Sequence, residues 1–337
     1  MNNIQDKIRG TFLGIAIGDA LGCPVEMWDY ARIKAKFGRI QDYQDCSNHK
    51  YFPDGGKGMT TDDTALTKAV VRALIDSGEF SLDQIAYEHI KEFAISVRGW
   101  GGSTRDSVAN LANGINWKLS GMTDKIGRGT GNGISMKVSP IGLYMALTNP
   151  KCELPAWSQN IIDLSNLAMM THRTSIAITS GLAQTFAIFK CFTSTPKNFD
   201  KKSFVKMLLG AADLGRQYLP ETISDDFQIR FEMLNDYFTT EEIIHSFGSG
   251  SCYVYDSLPF SYAFFLRNPM SIESLFDCVS SGGDCDSNGS QLGGLLGALH
   301  GTSIFPDHLI EGLQEKDEII KLADEFYEKF GKYAIPS

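Results

Sequence analysis

Two short stretches set paired carboxylates beside hydroxyls. Residues 58–64, GMTTDDT, put Thr61 ahead of Asp62 and Asp63. Residues 282–289, GGDCDSNG, alternate Asp284 and Asp286 with small residues and follow them with Ser287. Each stretch stands where a helix begins. A helix start needs an oxygen acceptor for its free amides, and an acidic side chain there also meets the positive end of the dipole, worth roughly 0.3–1 kcal/mol. Capping accounts for one such residue per helix, not for a carboxylate pair and a hydroxyl. These oxygens are hard ligands, suited to Mg2+ or Mn2+ rather than to zinc or copper. Brought together, the two stretches would form a cage for two divalent ions. The second also matches the opening of a calcium loop at Asp284, Asp286, Asn288 and Gly289, but Leu295 stands where that loop needs a bidentate Glu.

The elements that must position these residues read as helices. Leu66, Ala69, Val70, Ala73 and Leu74 recur at the spacing of one buried helical face, and Gly78 supplies a stop. Ile319, Leu322, Ala323, Phe326 and Phe330 repeat the pattern near the C-terminus, and FVKMLLGAADLGRQYL does so behind Ser203, a candidate cap. The aromatic stretch 252–266 is ambiguous, although Pro259 would interrupt a central strand. Glycines recur four apart at 10, 14, 18 and 22, and again at 289, 293, 297 and 301. Glycine costs about 1 kcal/mol relative to alanine inside a helix, so such a stripe implies a second backbone packed unusually close. The polar stretch 41–58 and the glycine-rich stretch 120–134 read as long loops, which tend to carry function. No low-complexity linker divides the chain. The expectation is one all-α domain over residues 1–337.

With 43% hydrophobic and 21% charged residues the chain has ordinary globular usage. A net charge of −9, with no cluster of Lys and Arg, argues against a nucleic-acid or anionic-membrane partner. The seven cysteines contain no C-x-x-C pair, so neither a disulfide framework nor a thiolate zinc site is indicated. The opening MNNIQDKIRG has no apolar core behind a basic start, and no apolar run approaches the roughly 18–20 residues of a membrane span. A cytoplasmic monomer without a membrane partner is expected.

Six blocks then carry a resemblance: GDALGCPVE (18–26), GMTTDDT (58–64), RGWGGSTR (98–105), GNGISMKVSPIGL (131–143), TH (171–172) and SGGDCDSNGSQLGGLLGALHG (281–301). In this order they resemble the motifs of the ADP-ribosylglycohydrolase family, which includes dinitrogenase reductase-activating glycohydrolases and ADP-ribosylarginine and ADP-ribosylserine hydrolases. The resemblance covers residues 8–301 and is weakest over 190–245. It implies an all-α orthogonal bundle with a dinuclear Mg2+ or Mn2+ site that hydrolyses the bond between ADP-ribose and an acceptor. Carried over by position, Thr61, Asp62, Asp63, Asp284, Asp286 and Ser287 stand as metal ligands, and Glu26, Asp62 and Asp286 as the catalytic carboxylates. Gly129, Thr130, Gly131, Asn132, Gly133, Ser135 and Met136 stand in the loop around the diphosphate and distal ribose, with His172 beside that ribose. The implied partner is an ADP-ribosylated protein, foremost one modified on arginine, with serine or a small ADP-ribosyl molecule behind it.

The chain departs from the family pattern in places. GGDTDT reads GGDCDS, which keeps a hydroxyl at Ser287 and sets a thiol at Cys285, where oxidation would touch activity. The usual MR is Met136–Lys137, which keeps charge but loses bidentate geometry, and Ile134 is bulkier than expected. Each residue has a plainer reading: Glu26 as a solvated acid, His172 as a core histidine, Trp100 as packing rather than an adenine platform, Asp19 as an organiser of a helix junction. Two other functions fit the same carboxylates, a silent ADP-ribose-binding protein and a two-metal phosphoesterase.

Overall fold

A computed structural model describes residues 3–47, 49–149, 159–219, 226–236 and 238–333. Among them there is no β-strand, only the isolated bridges Asp29↔Gly282 and Gly131↔Tyr253. The helices that frame the site are α1 (Asn3–Gly22), α2 (Asp62–Ser77), α3 (Ser175–Thr193), α4 (Val254–Arg267), α5 (Cys285–His300) and α6 (Lys316–Phe330). The all-α fold is as expected.

The two glycine stripes meet. A Cβ built on Gly18 would lie 2.0 Å from the carbonyl oxygen of Gly289, and one on Gly14 2.2 Å from that of Gly293. Gly10 faces Gly301, and Gly22 faces Cys285. As numbers rise along α1 they fall along α5, so the helices run antiparallel with their backbones touching. Both are buried almost throughout. The consequence for function is positional: the C-terminal end of α1, which leads into Glu26, is held against the N-terminal end of α5, which carries Asp284 and Asp286.

The start of α2 is fastened to the same place by Asp19 of α1. Its wholly buried carboxylate accepts the Thr61 amide at 2.9 Å, the Thr64 amide at 3.1 Å and the Thr64 hydroxyl at 2.5 Å. Asp19 thus organises a helix junction. The apolar face Leu66, Ala69, Val70, Ala73 and Leu74 is buried, and Gly78 ends α2 in the left-handed region at φ 73°. The face Ile319 to Phe330 on α6 is buried as well.

Two expectations need correction, and one ambiguity is resolved. The cap of the helix Lys201–Arg216 is Asp200, whose carboxylate accepts the Ser203 amide, so Ser203 lies in the first turn. The aromatic stretch is helix α4 with Pro259 inside it. Pro259 lies in the second turn of α4, where it supplies no amide to the helix ladder. Two helices, the one running from Asn3 and α3, are also long and apolar enough to cross a membrane, contrary to the sequence expectation; their apolar windows are 94% and 83% buried inside the protein, as suits core helices.

Candidate metal centre and active-site cleft

A cleft of about 830 Å3 opens over the junction of α1, α2 and α5, lined among others by Glu26, Asp62, Asp63, Asp284, Asp286 and Ser287. Glu26 reaches it from a tight turn after α1. The Met27 amide donates to the Gly283 carbonyl at 2.7 Å, and the Gly283 amide returns to Trp28 at 2.9 Å. Gly283 has φ 80° and leaves 2.1 Å between a would-be Cβ and the Ser249 carbonyl oxygen, so no other residue serves there. Met27, one residue beyond Glu26, is itself left-handed at φ 62°, a strained conformation of the kind that clusters at functional sites.

Ligand atoms of Glu26, Asp284 and Asp286 lie within 4.8 Å of one another. Asp63 joins them through Ser287, whose hydroxyl donates to its Oδ2 at 3.1 Å. Both helix starts are therefore in one place. The tightest trio pairs the α5 aspartates with Glu26, and Asp62 stands half-buried at the cleft wall. Thr61 caps α2 by accepting the Asp63 amide at 3.4 Å and lines an adjoining cavity rather than the cleft itself.

The residues suit hard divalent cations on three counts. Asp63 Oδ1 is buried without a hydrogen-bond partner. Asp284 occupies the N-cap of α5 yet makes no capping bond with its side chain. Burial, reinforced by neighbouring carboxylates, pushes Asp62 up to about 8 and Asp284 up to about 6, and drives Asp63 and Asp286 well above the ordinary carboxylate range. Like charges packed out of water take up protons or a cation.

The glycine-rich loop forms the far wall. The Gly129 amide donates to Ser103 Oγ at 2.8 Å and the Asn132 amide to the Cys252 carbonyl at 3.1 Å. The amides of Thr130, Gly131 and Gly133 have no acceptor among the described residues. Asn132 turns its side chain to the acidic cluster, donating to Asp284 Oδ2 at 2.6 Å and to Ser257 Oγ at 3.1 Å. Met136 lines the cleft. Ser135 lies behind it, accepting from Gln291 Nε2 at 3.1 Å.

His172 lines the cleft, with Thr171 Oγ1 2.9 Å from its Nδ1. Burial, then the charge of Lys137, lowers it to about 3, so its ring is neutral. A Cβ on Gly133 would come within 2.8 Å of the His172 ring, which explains a glycine at that point. Trp100 packs on Phe93 with ring centroids 5.9 Å apart and also borders the cleft.

Two sequence readings change. Lys137 is wholly buried, and burial lowers it to about 7 against the opposing field of Asp62, so its charge is not simply kept. Cys285 is buried and its thiol is pushed far above the ordinary range, chiefly by burial, which makes it an inert packing group rather than an oxidation site.

One neighbour of Glu26 escaped the sequence reading. His49, in the loop 41–58, places Nε2 2.6 Å from Glu26 Oε2. Nothing in SNHKYF marks it, because the contact spans a loop with no periodic pattern.

The family model described as ADP-ribosylglycohydrolase matches residues 1–335. An uncharacterised protein of Archaeoglobus fulgidus is 26% identical over 96% of this chain and 97% of its own. ADP-ribosylhydrolase ARH3 of Bos taurus is 24% identical over 97% and 93%. The ADP-ribosyl-[dinitrogen reductase] glycohydrolase of Rhodospirillum rubrum is 24% identical over 94% and 93%. A solved structure described as an ADP-ribosylglycohydrolase-related protein complex superposes with a TM-score of 0.69 at 20% identity, covering 98% of this chain and 99% of its own, a likeness of fold. With the family model spanning almost every residue and the acidic junction in the cleft, this chain belongs to the ADP-ribosylglycohydrolase family, whose members are glycosidic hydrolases acting on ADP-ribose linkages.

Proposed function

We propose that the chain hydrolyses the bond between ADP-ribose and an arginine side chain of a protein, releasing ADP-ribose, with two Mg2+ or Mn2+ ions at the helix junction. The observation that carries this reading is the convergence of Asp63, Asp284, Asp286 and Ser287 with Glu26 at one end of the cleft. Asp62 and Thr61 complete the proposed ligand set. Ions held by these residues would supply Lewis acidity toward ribose hydroxyls and water.

The protein's own groups divide the remaining work. The unpaired loop amides and neutral His172 receive the diphosphate and distal ribose, which leaves the anomeric carbon near Glu26. Breaking the C–N bond builds oxocarbenium character on the ribose, while water adds at that carbon and gives up a proton. Glu26 has Oε2 engaged by His49 and Oε1 left to take the proton. The departing guanidine leaves with the bonding electron pair. A cationic acceptor is favoured by the Glu26 carboxylate at the cleft end.

The test compares ADP-ribosyl-arginine protein with ADP-ribosyl-serine peptide. Free ADP-ribose released faster from arginine supports the reading; release from serine alone reassigns the acceptor, and AMP or phosphate as product favours a phosphoesterase. Full activity in Glu26→Gln removes the role given to Glu26. A reducing cytoplasm is the proposed setting, in keeping with the unpaired state of the described cysteines, and cell fractionation checks it.

A further inference from the structure

His49 is buried, and its two ring nitrogens have different partners. Nδ1 lies 3.1 Å from the backbone amides of both Tyr51 and Phe52. Each amide can only donate, so Nδ1 is the acceptor and carries no proton. The ring proton therefore sits on Nε2, 2.6 Å from Glu26 Oε2. The two backbone amides thus set the tautomer of the ring.

The loop that holds the ring is itself fastened. The His49 amide donates to the Cys46 carbonyl at 2.7 Å, and the ring packs on Phe52 with centroids 5.1 Å apart. Cys46 Sγ touches Cys23 Sγ at 3.5 Å, both buried, and the Glu26 amide donates to the Cys23 carbonyl at 3.2 Å. Loop and turn are thereby seated on each other within one small apolar cluster of Cys23, Cys46 and Phe52.

Glu26 needs such a partner. Its side chain is only 20% exposed, and its ligand atom lies within 4.8 Å of those of Asp284 and Asp286. A glutamate has several rotatable bonds, and among other acids its carboxylate has no fixed direction unless a donor sets it.

We propose that His49 is a positioning residue for Glu26: its Nε2–H holds Oε2 and thereby aims Oε1 into the cleft. This rests on the reading that Glu26 takes the proton from water. The ring donates no proton to substrate; it fixes the group that accepts one.

The test uses the full chain with His49→Phe, which keeps a flat ring without a donor, and His49→Gln, which restores an N–H. In the ADP-ribose release assay His49→Phe is expected to lower kcat about 10–100-fold, the cost of losing an outer partner of a reacting group, with KM and melting temperature little changed. His49→Gln is expected to regain most of kcat. The ring 1H–15N correlation spectrum of the wild type is expected to show the Nε2–H tautomer, with an Nε2 signal that moves in Glu26→Ala.

Wild-type kcat in His49→Phe overturns the proposal. So does an Nδ1–H tautomer, or a ring spectrum indifferent to Glu26→Ala. A wild type that releases no ADP-ribose from any acceptor fails the functional reading instead. The proposal is then decided by the ring spectrum together with a crystal structure of His49→Phe, where an unmoved Glu26 carboxylate overturns it and a swung one upholds it.

Discussion

Asp63 combines an orphaned buried oxygen with a strong drive to take up a proton, and both have one remedy, a cation. Replacing Asp63 or Asp286 by Asn removes charge at nearly constant volume. Calorimetric titration with Mn2+ is expected to show affinity reduced about 100-fold or more, since even outer-shell partners of a metal site are worth 10–100-fold. In EDTA the same variants should melt higher than the wild type, because one repelling carboxylate is gone. The pH dependence follows from the same groups. Asp62 at about 8 and Asp284 at about 6 hold protons in the folded chain that the unfolded chain has released. Folding then takes up protons, so metal-free stability is greatest near about pH 4 and falls as pH rises toward about 8. Melting curves in EDTA should drop by several degrees between about pH 5 and about pH 8, and saturating Mn2+ should remove the drop; a flat EDTA profile would contradict it. The aspartate pairs were legible in the sequence because they exceed what capping needs. The partners of Asn132 and His49 were not, because Asp284 lies 152 residues from Asn132 and Glu26 lies 23 residues from His49 across an aperiodic loop.

At the scale of elements, the paired glycine stripes of α1 and α5 place Glu26 against Asp284 and Asp286. Gly18→Ala would force a methyl against the Gly289 carbonyl, where only backbone can give way. Its expected cost is about 3 kcal/mol or more, at the upper end of overpacking, read from urea denaturation, with metal affinity falling alongside stability. Gly210→Ala is the control. It lies in the helix Lys201–Arg216 with open space around a would-be Cβ, and a gain of about 0.4–1 kcal/mol is expected there. Equal effects at the two positions would refute the close-packing account. The four-residue spacing announced close approach from the sequence alone. Which backbone came close, and in which direction, was set by tertiary packing. Likewise α4 was hidden because aromatic residues with an early proline serve a buried helix as readily as a strand.

For the whole molecule, one apolar cluster extends from Ile8 to Phe330, so packing joins the N-terminal, central and C-terminal helices that meet beneath the cleft. We take residues 1–337 as a single folding unit and a monomer; one cooperative transition by two probes and a monomeric mass by light scattering are the expected results. The order of motifs along the chain made the fold legible, since each block falls on a helix end or loop that the fold returns to one cleft. The acceptor was not legible, because no motif in the sequence marks the residues that would meet it. The central claim is that these converging carboxylates serve divalent-cation-dependent cleavage of an ADP-ribose linkage. The most direct measurement is ADP-ribose released from ADP-ribosyl-arginine protein as a function of added Mn2+ or Mg2+, with EDTA and Asp286→Asn as references. Saturable, cation-dependent release that EDTA and Asp286→Asn abolish is the predicted result, and release undiminished by either would contradict it.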